Sequence, residues 1–368
     1  MKKLVFLFVS TLLFILMPQA QAADTVIRIT APVSQTFTGE FRNDDLVQSL
    51  TPSGDLGLKV YQPIAKNRTW VIDAALVDEV ILMSNEYTLA TDAEPAGKEI
   101  ATAWLNQLRR VTAANEVVAL AYGNPDIVLA KRLAPSELKN YFVYGQDRLQ
   151  IALGRIVRSE PEVAWSVGKS GLSNPLRKNY SDNRKALTRL SRVVDTPELI
   201  QLRARLAQLL SPTLDKDSRE YFSRSATNAV KEMVNKLRIN SGKYQITTAS
   251  VKLPVTVINE FDVDITVDIS MIPISSRIFV DSFDNVVIPA QSKRQLEMQV
   301  DVIAPGLTTV SAMITGPEDD SEVVPPVILT LNSTVIDSRV TWFTTGAAIL
   351  LLLAAVAQSV RRVRRRNK

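Results

Sequence analysis

No cysteine and no histidine occur among the 368 residues. Without cysteine there is no disulfide, no thiolate metal ligand and no thiol nucleophile, so an exported body of this sequence is held together by core packing alone. Without histidine the commonest general base, the usual catalytic triads and the usual zinc ligands are excluded. Any catalysis falls to carboxylates, lysine, tyrosine, serine or an oxygen-bound metal, and nothing in the sequence points to a cofactor or a resident metal. Aromatic residues make up only 6% of the chain, and no basic stripe is interleaved with them. That excludes nucleic-acid binding.

The net charge of +5 comes from the two ends. Lys2 and Lys3 supply two positive charges and the last eight residues supply six, which leaves −3 for Ala23 to Val360. The body is mildly acidic, and the pI of 9.3 does not describe a nucleic-acid surface.

The ends also carry two apolar runs. Lys2-Lys3, the run Leu4 to Met17 and the exit Ala20-Gln21-Ala22 have the three parts of a secretory signal, with cleavage expected after Ala22. That run has 14 residues, short for a membrane span. Val340 to Val360 has 21 residues without a charge, which as a helix covers about 30 Å, the thickness of a bilayer core. Trp342 and Phe343 lie at its outer edge, and Arg361, Arg362, Arg364, Arg365, Arg366 and Lys368 follow it. Cations beside a span hold that end in the cytoplasm. The expectation is a single-pass plasma-membrane protein with its N-terminal body outside the cytoplasm and its C-terminus inside. The terminal cations also suit anionic headgroups, each adding about 1 kcal/mol near the surface.

Between the ends the hydrophobic period changes twice. VIRITA (26–31) predicts a strand, while Asn43-Asp44-Asp45 and the Pro52 to Asp55 stretch predict turns. Thr69 to Asp73 and Glu116 to Tyr122 predict buried strands. Helices are expected over 75–83, 97–111, 125–133 and 135–153, and strand–helix alternation implies a parallel sheet. Residues 156–180 look irregular. Helices follow near 181–194, 196–210 and 217–238. From Lys243 the period is two, as in Phe261, Val263, Ile265, Val267 and Ile269, and about seven short strands predict a sandwich.

The expected fold is therefore α+β and multi-domain. A signal peptide (1–22) precedes an α/β domain with a parallel, partial barrel-like sheet (23–180). A helical segment (181–240), an immunoglobulin-like β-sandwich (241–337), a transmembrane helix (338–360) and a basic tail (361–368) complete it.

TWVIDAALVDEV, AWLNQLRR and VVALAYGNPD, in that order, resemble the central domain of an actinobacterial envelope family of unknown function (domain of unknown function 6049). KLPVTVINEFDVDITVDI, VVIPAQSKRQLEMQVDV, the Trp-led apolar run and the Arg-rich tail resemble its C-terminal half. The likeness covers 65–155 and 245–368. It implies a type I membrane protein with a glycosidase- or deacetylase-like α/β domain and a sandwich. Genes of that family often lie near that of the lipid II flippase, which implies cell-wall work. The chain is short for the family. It carries Asn124-Pro125-Asp126 where relatives tend to have acid, proline, acid.

Asp73 and Asp126 stand at predicted strand ends, where parallel α/β folds place active sites. As a pair they have the chemistry of acid and base for glycan hydrolysis. Helix capping is the structural alternative for each. Tyr122 and Asn124 are candidate ligand-binding residues. Trp70, Trp104, Tyr122 and Trp165 form either a sugar-stacking platform or core. Pro317 to Glu322 reads as an acidic hairpin loop or an oxygen-ligated Ca²⁺ site. Small residues in the apolar run (Gly346, Ala347, Ala348, Ala354, Ala355, Ala357) suit a membrane-protein partner packed on a span. The leading expectation is a non-catalytic envelope protein that binds a cell-wall precursor, a glycan or a protein. The alternative is a membrane-anchored, carboxylate-dependent glycan hydrolase.

Overall fold

The computed structural model describes residues 25–62, 68–159, 165, 167–334 and 338–366. The expected export signal lies outside the described residues. The chain is a mixed α and β protein that divides into two compact units, Met1–Gly171 with Leu210–Asp215, and Leu172–Leu209 with Lys216–Lys368.

The first unit is built on four parallel strands, β1 (Thr25–Ile29), β2 (Arg68–Ile72), β3 (Glu116–Ala119) and β4 (Arg158–Ser159), paired in chain order. Helical crossovers join them: α1 (Asp45–Leu50) and α2 (Asp55–Tyr61), then α3 (Ala74–Met83) and α4 (Lys98–Thr112), then α5 (Ile127–Leu133) and α6 (Pro135–Leu153). Trp70 stands opposite Val117 and Val71 opposite Val118. Thr69 to Ile72 are all buried, the pattern of a central strand covered on both faces. Helix α4 turns Ala101, Trp104, Leu105, Leu108 and Val111 inward; of the face expected from its sequence, Trp104, Leu105 and Leu108 are buried and Ile100 is half-buried. Helix α6 opens with Pro135 in its first turn and ends at Gly154, whose φ of 67° suits a left-handed cap.

Two sequence expectations shift here. Turn-like Asp45 and Asp55 open helices α1 and α2, because the residues that favour turns also favour helix starts. The expected strand to Tyr122 stops at Ala119. Beyond it the Tyr122 N–H leaves the ladder and donates to the Tyr141 carbonyl of α6 at 2.9 Å.

In the second unit α7 (Asn174–Leu190), α8 (Pro197–Arg205), a 3-10 segment (Leu206–Leu210) and α9 (Lys216–Asn235) precede the strands. Helix α7 begins at Asn174, within the stretch expected to be irregular from Gly168, Gly171 and Pro175; Pro175 sits in its first turn, where proline is tolerated. One sheet has the order β10 (Phe283–Ile288), β8 (Ile265–Pro273), β12 (Gly306–Gly316), β14 (Val327–Ser333), β6 (Lys243–Ile246), with β13 (Asp319–Glu322) on β12. The other has the order β5 (Leu237–Ile239), β7 (Ser250–Asn259), β11 (Ser292–Val302), β9 (Ile278–Val280). Strand β5 replaces the expected end of the last helix, since Leu237 and Ile239 are buried on one side of an alternating triplet paired to β7. Inward residues such as Val255, Val257, Ile265, Val267, Met298, Val300, Ile314 and Leu331 fill the core.

The turn from β7 to β8 is held by one side chain. Asn259 is fully buried; its Nδ2 donates to the carbonyls of Val263, Ile288 and Pro289, and its Oδ1 accepts from the Phe261 N–H. The expected strand from Phe261 therefore begins only at Ile265.

Helix α10 (Ser338–Arg366) follows the sandwich, with its side chains described over 345–359. Ile349 to Leu353 and Val356 are exposed along it. Among the described residues, which in α10 have side chains described over fifteen positions only, no helix is long and apolar enough to cross a membrane.

Replacing Asn259 by Ala leaves four backbone groups without their partner. Urea unfolding of Asn259→Ala is expected to show a loss of about 2–4 kcal/mol, with the core apolar positions unchanged.

Candidate functional site

The carboxyl ends of β2 and β3 bring Asp73, Tyr122, Asn124 and Asp126 into one neighbourhood. Asp73 follows β2 and caps α3: its Oδ1 accepts from the Ala75 N–H at 3.0 Å. The same oxygen accepts from the Gly123 N–H at 2.9 Å, tying the end of one strand to the turn after the next. Gly123 has φ 77° and Asn124 φ 44°, so the left-handed turn that presents this N–H requires glycine and tolerates asparagine. Asp126 caps α5, with Oδ1 accepting from the Leu129 N–H at 3.1 Å and Oδ2 from the Ser170 N–H at 2.8 Å. Both acids are buried helix caps that also bind a second, distant backbone N–H.

Tyr122 is 2% exposed, and its hydroxyl donates to Asp78 Oδ2 at 3.0 Å. Its ring meets Tyr144 edge-on at 5.0 Å. Asp78, inside the apolar helix α3, is also gripped by Arg148 of α6 through Nε at 3.0 Å and Nη2 at 2.8 Å. This Tyr–Asp–Arg cluster was not anticipated; its one trace in the sequence is a pair of acids, Asp78 and Glu79, within an apolar helix. Trp70 and Trp104 have no exposure and belong to the core. Trp165 packs against Val71, Val118 and Leu120. Gly145 of α6 lies where a Cβ would come 2.5 Å from the Leu120 carbonyl oxygen, so the helix can reach the strand end only without a side chain.

A second feature lies in the other unit, on the exposed face of α7. A groove of about 410 Å³ is lined by Asp182, Arg184, Lys185, Thr188, Arg189 and Arg192. These positions recur at three- and four-residue spacing, opposite the buried Tyr180, Asn183, Leu187 and Leu190. Asp182 is held by Lys178 at 2.6 Å, which with Lys185 lowers its pKa. Arg189 lies 3.7 Å from Glu322 of β13, and Arg192 donates to Ser321. Lys185 acts on Asp182 through its charge. The acidic stretch considered for Ca²⁺ thus flanks a basic helix, and no group of acids arranged for a metal occurs among the described residues. Sequence reading missed the groove because its cations are diluted along the chain and converge only on a helix face.

Burial pushes the Asp73 carboxyl up from 3.8 to about 7; the two backbone N–H groups oppose the shift and the Asp78 charge adds to it. Between those values the folded chain keeps a proton that the unfolded chain has released. The group's contribution to stability is therefore full below about pH 4 and is lost as pH rises through the folded value. Asp73→Asn keeps a capping acceptor and removes the titration. The urea midpoint of the wild type should fall between about pH 5 and about pH 8 by more than that of Asp73→Asn. Equal slopes in the two proteins would exclude Asp73 as the source.

No curated protein matches the chain. Among solved structures, the C. elegans MSP-family member WR4 is similar at 9% identity over 27% of this chain and 98% of its own, with a TM-score of 0.21. The PapD-like domain 7 of human CEP192 is similar at 8% identity over 27% of this chain and 85% of its own, with a TM-score of 0.22. The E. coli chaperone DraB is similar at 14% identity over 27% of this chain and 55% of its own, with a TM-score of 0.19. Likeness at this level bears on neither function nor partners. A family model described as a family of unknown function (DUF6049) matches residues 70–367. That match spans most of the sequence, and the chain belongs to this family.

Proposed function

We propose that this is a non-catalytic protein of the cell envelope, anchored in the plasma membrane by α10 with its body outside the cytoplasm. Its role in this reading is to bind a phosphate-bearing cell-wall precursor or glycan through the groove on α7. The observation that carries the reading is a contrast between two sets of charges. The strand-end acids Asp73 and Asp126 are buried and engaged by backbone N–H groups. The cations Arg184, Lys185, Arg189 and Arg192 line an open groove.

Arg184 and Arg189 lie five residues apart, about 7.5 Å along α7, with Arg192 in the turn that follows, enough for adjacent phosphates. Guanidinium groups suit phosphate because they donate two parallel hydrogen bonds to it. The anchor reading is supported by the uncharged run Val340 to Val360, the basic residues after it, and the exposed apolar side chains Ile349 to Leu353 and Val356.

One observation favours the hydrolase reading. A carboxyl held near 7 has the protonation behaviour of a general acid. Against it, Asp73 is 3% exposed.

The test uses the full chain in detergent with purified peptidoglycan and lipid II, following binding and consumption together. Saturable binding without consumption is expected, weakened at least about tenfold by Arg184→Glu with Lys185→Glu and by added salt. Consumption that vanishes in Asp73→Asn or Asp126→Asn would overturn the proposal in favour of hydrolysis.

A further inference from the structure

The two ends of the sandwich differ in chemistry, and the chain leaves toward α10 from only one of them. Strand β14 ends at Ser333, which stands opposite Gly306 at the start of β12 and Ile246 at the end of β6. Val310 of β12 pairs with Pro273, near the end of β8, and Val302, the end of β11, pairs with Ile278, the start of β9. The connections 247–249, 274–277 and 303–305 therefore share this end. They carry one cation, Arg277, and no acid.

Large apolar side chains stand in solvent here: Ile274 is 65% exposed, Phe279 59%, Ile303 71% and Leu307 67%. The acid next to them is Asp301, which stands opposite Phe279 and whose Oδ1 accepts from the Ser250 hydroxyl. At the opposite end, where Asn259 pairs with Ser292 and Gly316 with Asp319, the connections carry Glu260, Asp262, Asp264 and Glu318, and Arg238, Lys236 and Lys293 surround Glu260, so that end is densely charged with both signs.

We infer that the end of the sandwich bearing Ile274, Phe279, Ile303 and Leu307 rests in the interfacial layer of the lipid bilayer, with Arg277 among the headgroups. The inference rests on the reading of α10 as the anchor and adds a second contact to it. Ser333 and Ser338 are five residues apart, which limits their separation to about 18 Å however that connection runs. A span beginning two residues later keeps this end near the membrane surface. Apolar and aromatic side chains with a basic neighbour are the composition that partitions into the headgroup boundary. Anionic headgroups attract Arg277, and the densely charged far end suits water. The sandwich then stands upright on the bilayer, with the end that bears Asp262 outermost.

The absence of cysteine makes the test direct. Ile274→Cys, Ile303→Cys, Leu307→Cys and, at the far end, Asp262→Cys are each labelled in the full chain with a polarity-sensitive fluorophore. The proteins are reconstituted in vesicles of phosphatidylcholine and phosphatidylglycerol containing a headgroup-nitroxide lipid. Flotation reports the anchor, circular dichroism the fold, and quenching the contact. Loss of emission at 274, 303 and 307 with none at 262 is the expected result. Vesicle-bound protein with no quenching at the three sites overturns the inference and leaves the anchor standing. Protein that does not float with the vesicles sinks the anchor and this contact together.

Discussion

One carboxylate oxygen organises the first unit. Asp73 Oδ1 accepts two backbone N–H groups, one opening α3 and one in the turn after β3. The two strands already share a ladder, so this oxygen fixes how their ends diverge into helices. Burial raises the carboxyl to about 7, and the two donors are what keep a charge tolerable there. The turn that supplies the second donor depends on Gly123 in a left-handed conformation, and α6 closes over it only because residue 145 is glycine. A residue type that sequence reading associates with acid–base chemistry is here part of the covalent geometry's support.

The second unit solves a different problem. A sandwich without a disulfide must hold its two sheets by packing and by satisfying every buried polar group. Asn259 does this at the β7–β8 turn, where four backbone groups converge on one amide. The same unit separates charged from apolar surface. Its helical part gathers cations along α7 and the turn after it, and its sandwich leaves large apolar side chains exposed at one end. These two polarised surfaces are the strongest indications of what the body meets in solution or at a membrane.

Much of the architecture was legible from periodicity. Continuous apolar runs marked β2 and β3, the Trp104 stripe marked α4, and alternation from Ile265 onward marked the sandwich, because the side-chain period is set by local backbone geometry. Helices α1 and α2 were not legible, since Asp45 and Asp55 suit a turn as well as a helix start. The early onset of α7 was hidden by Pro175, which suits a break as well as a first helical turn. At the candidate site, Asp73 and Asp126 were found as residues, with capping and catalysis both open.

Their engagement depends on partners far along the chain. Gly123 lies 50 residues from Asp73, Ser170 lies 44 from Asp126, and Arg148 lies 70 from Asp78. Composition and spacing excluded thiol and imidazole chemistry, set the strand and helix periods, and marked the apolar run before the basic tail, since those properties belong to residues taken singly or to near neighbours. The burial of Tyr122, the double role of Asp73, the cationic groove and the apolar end of the sandwich came from the packed chain alone, because each is made by side chains and backbone groups that only folding brings within a few ångströms.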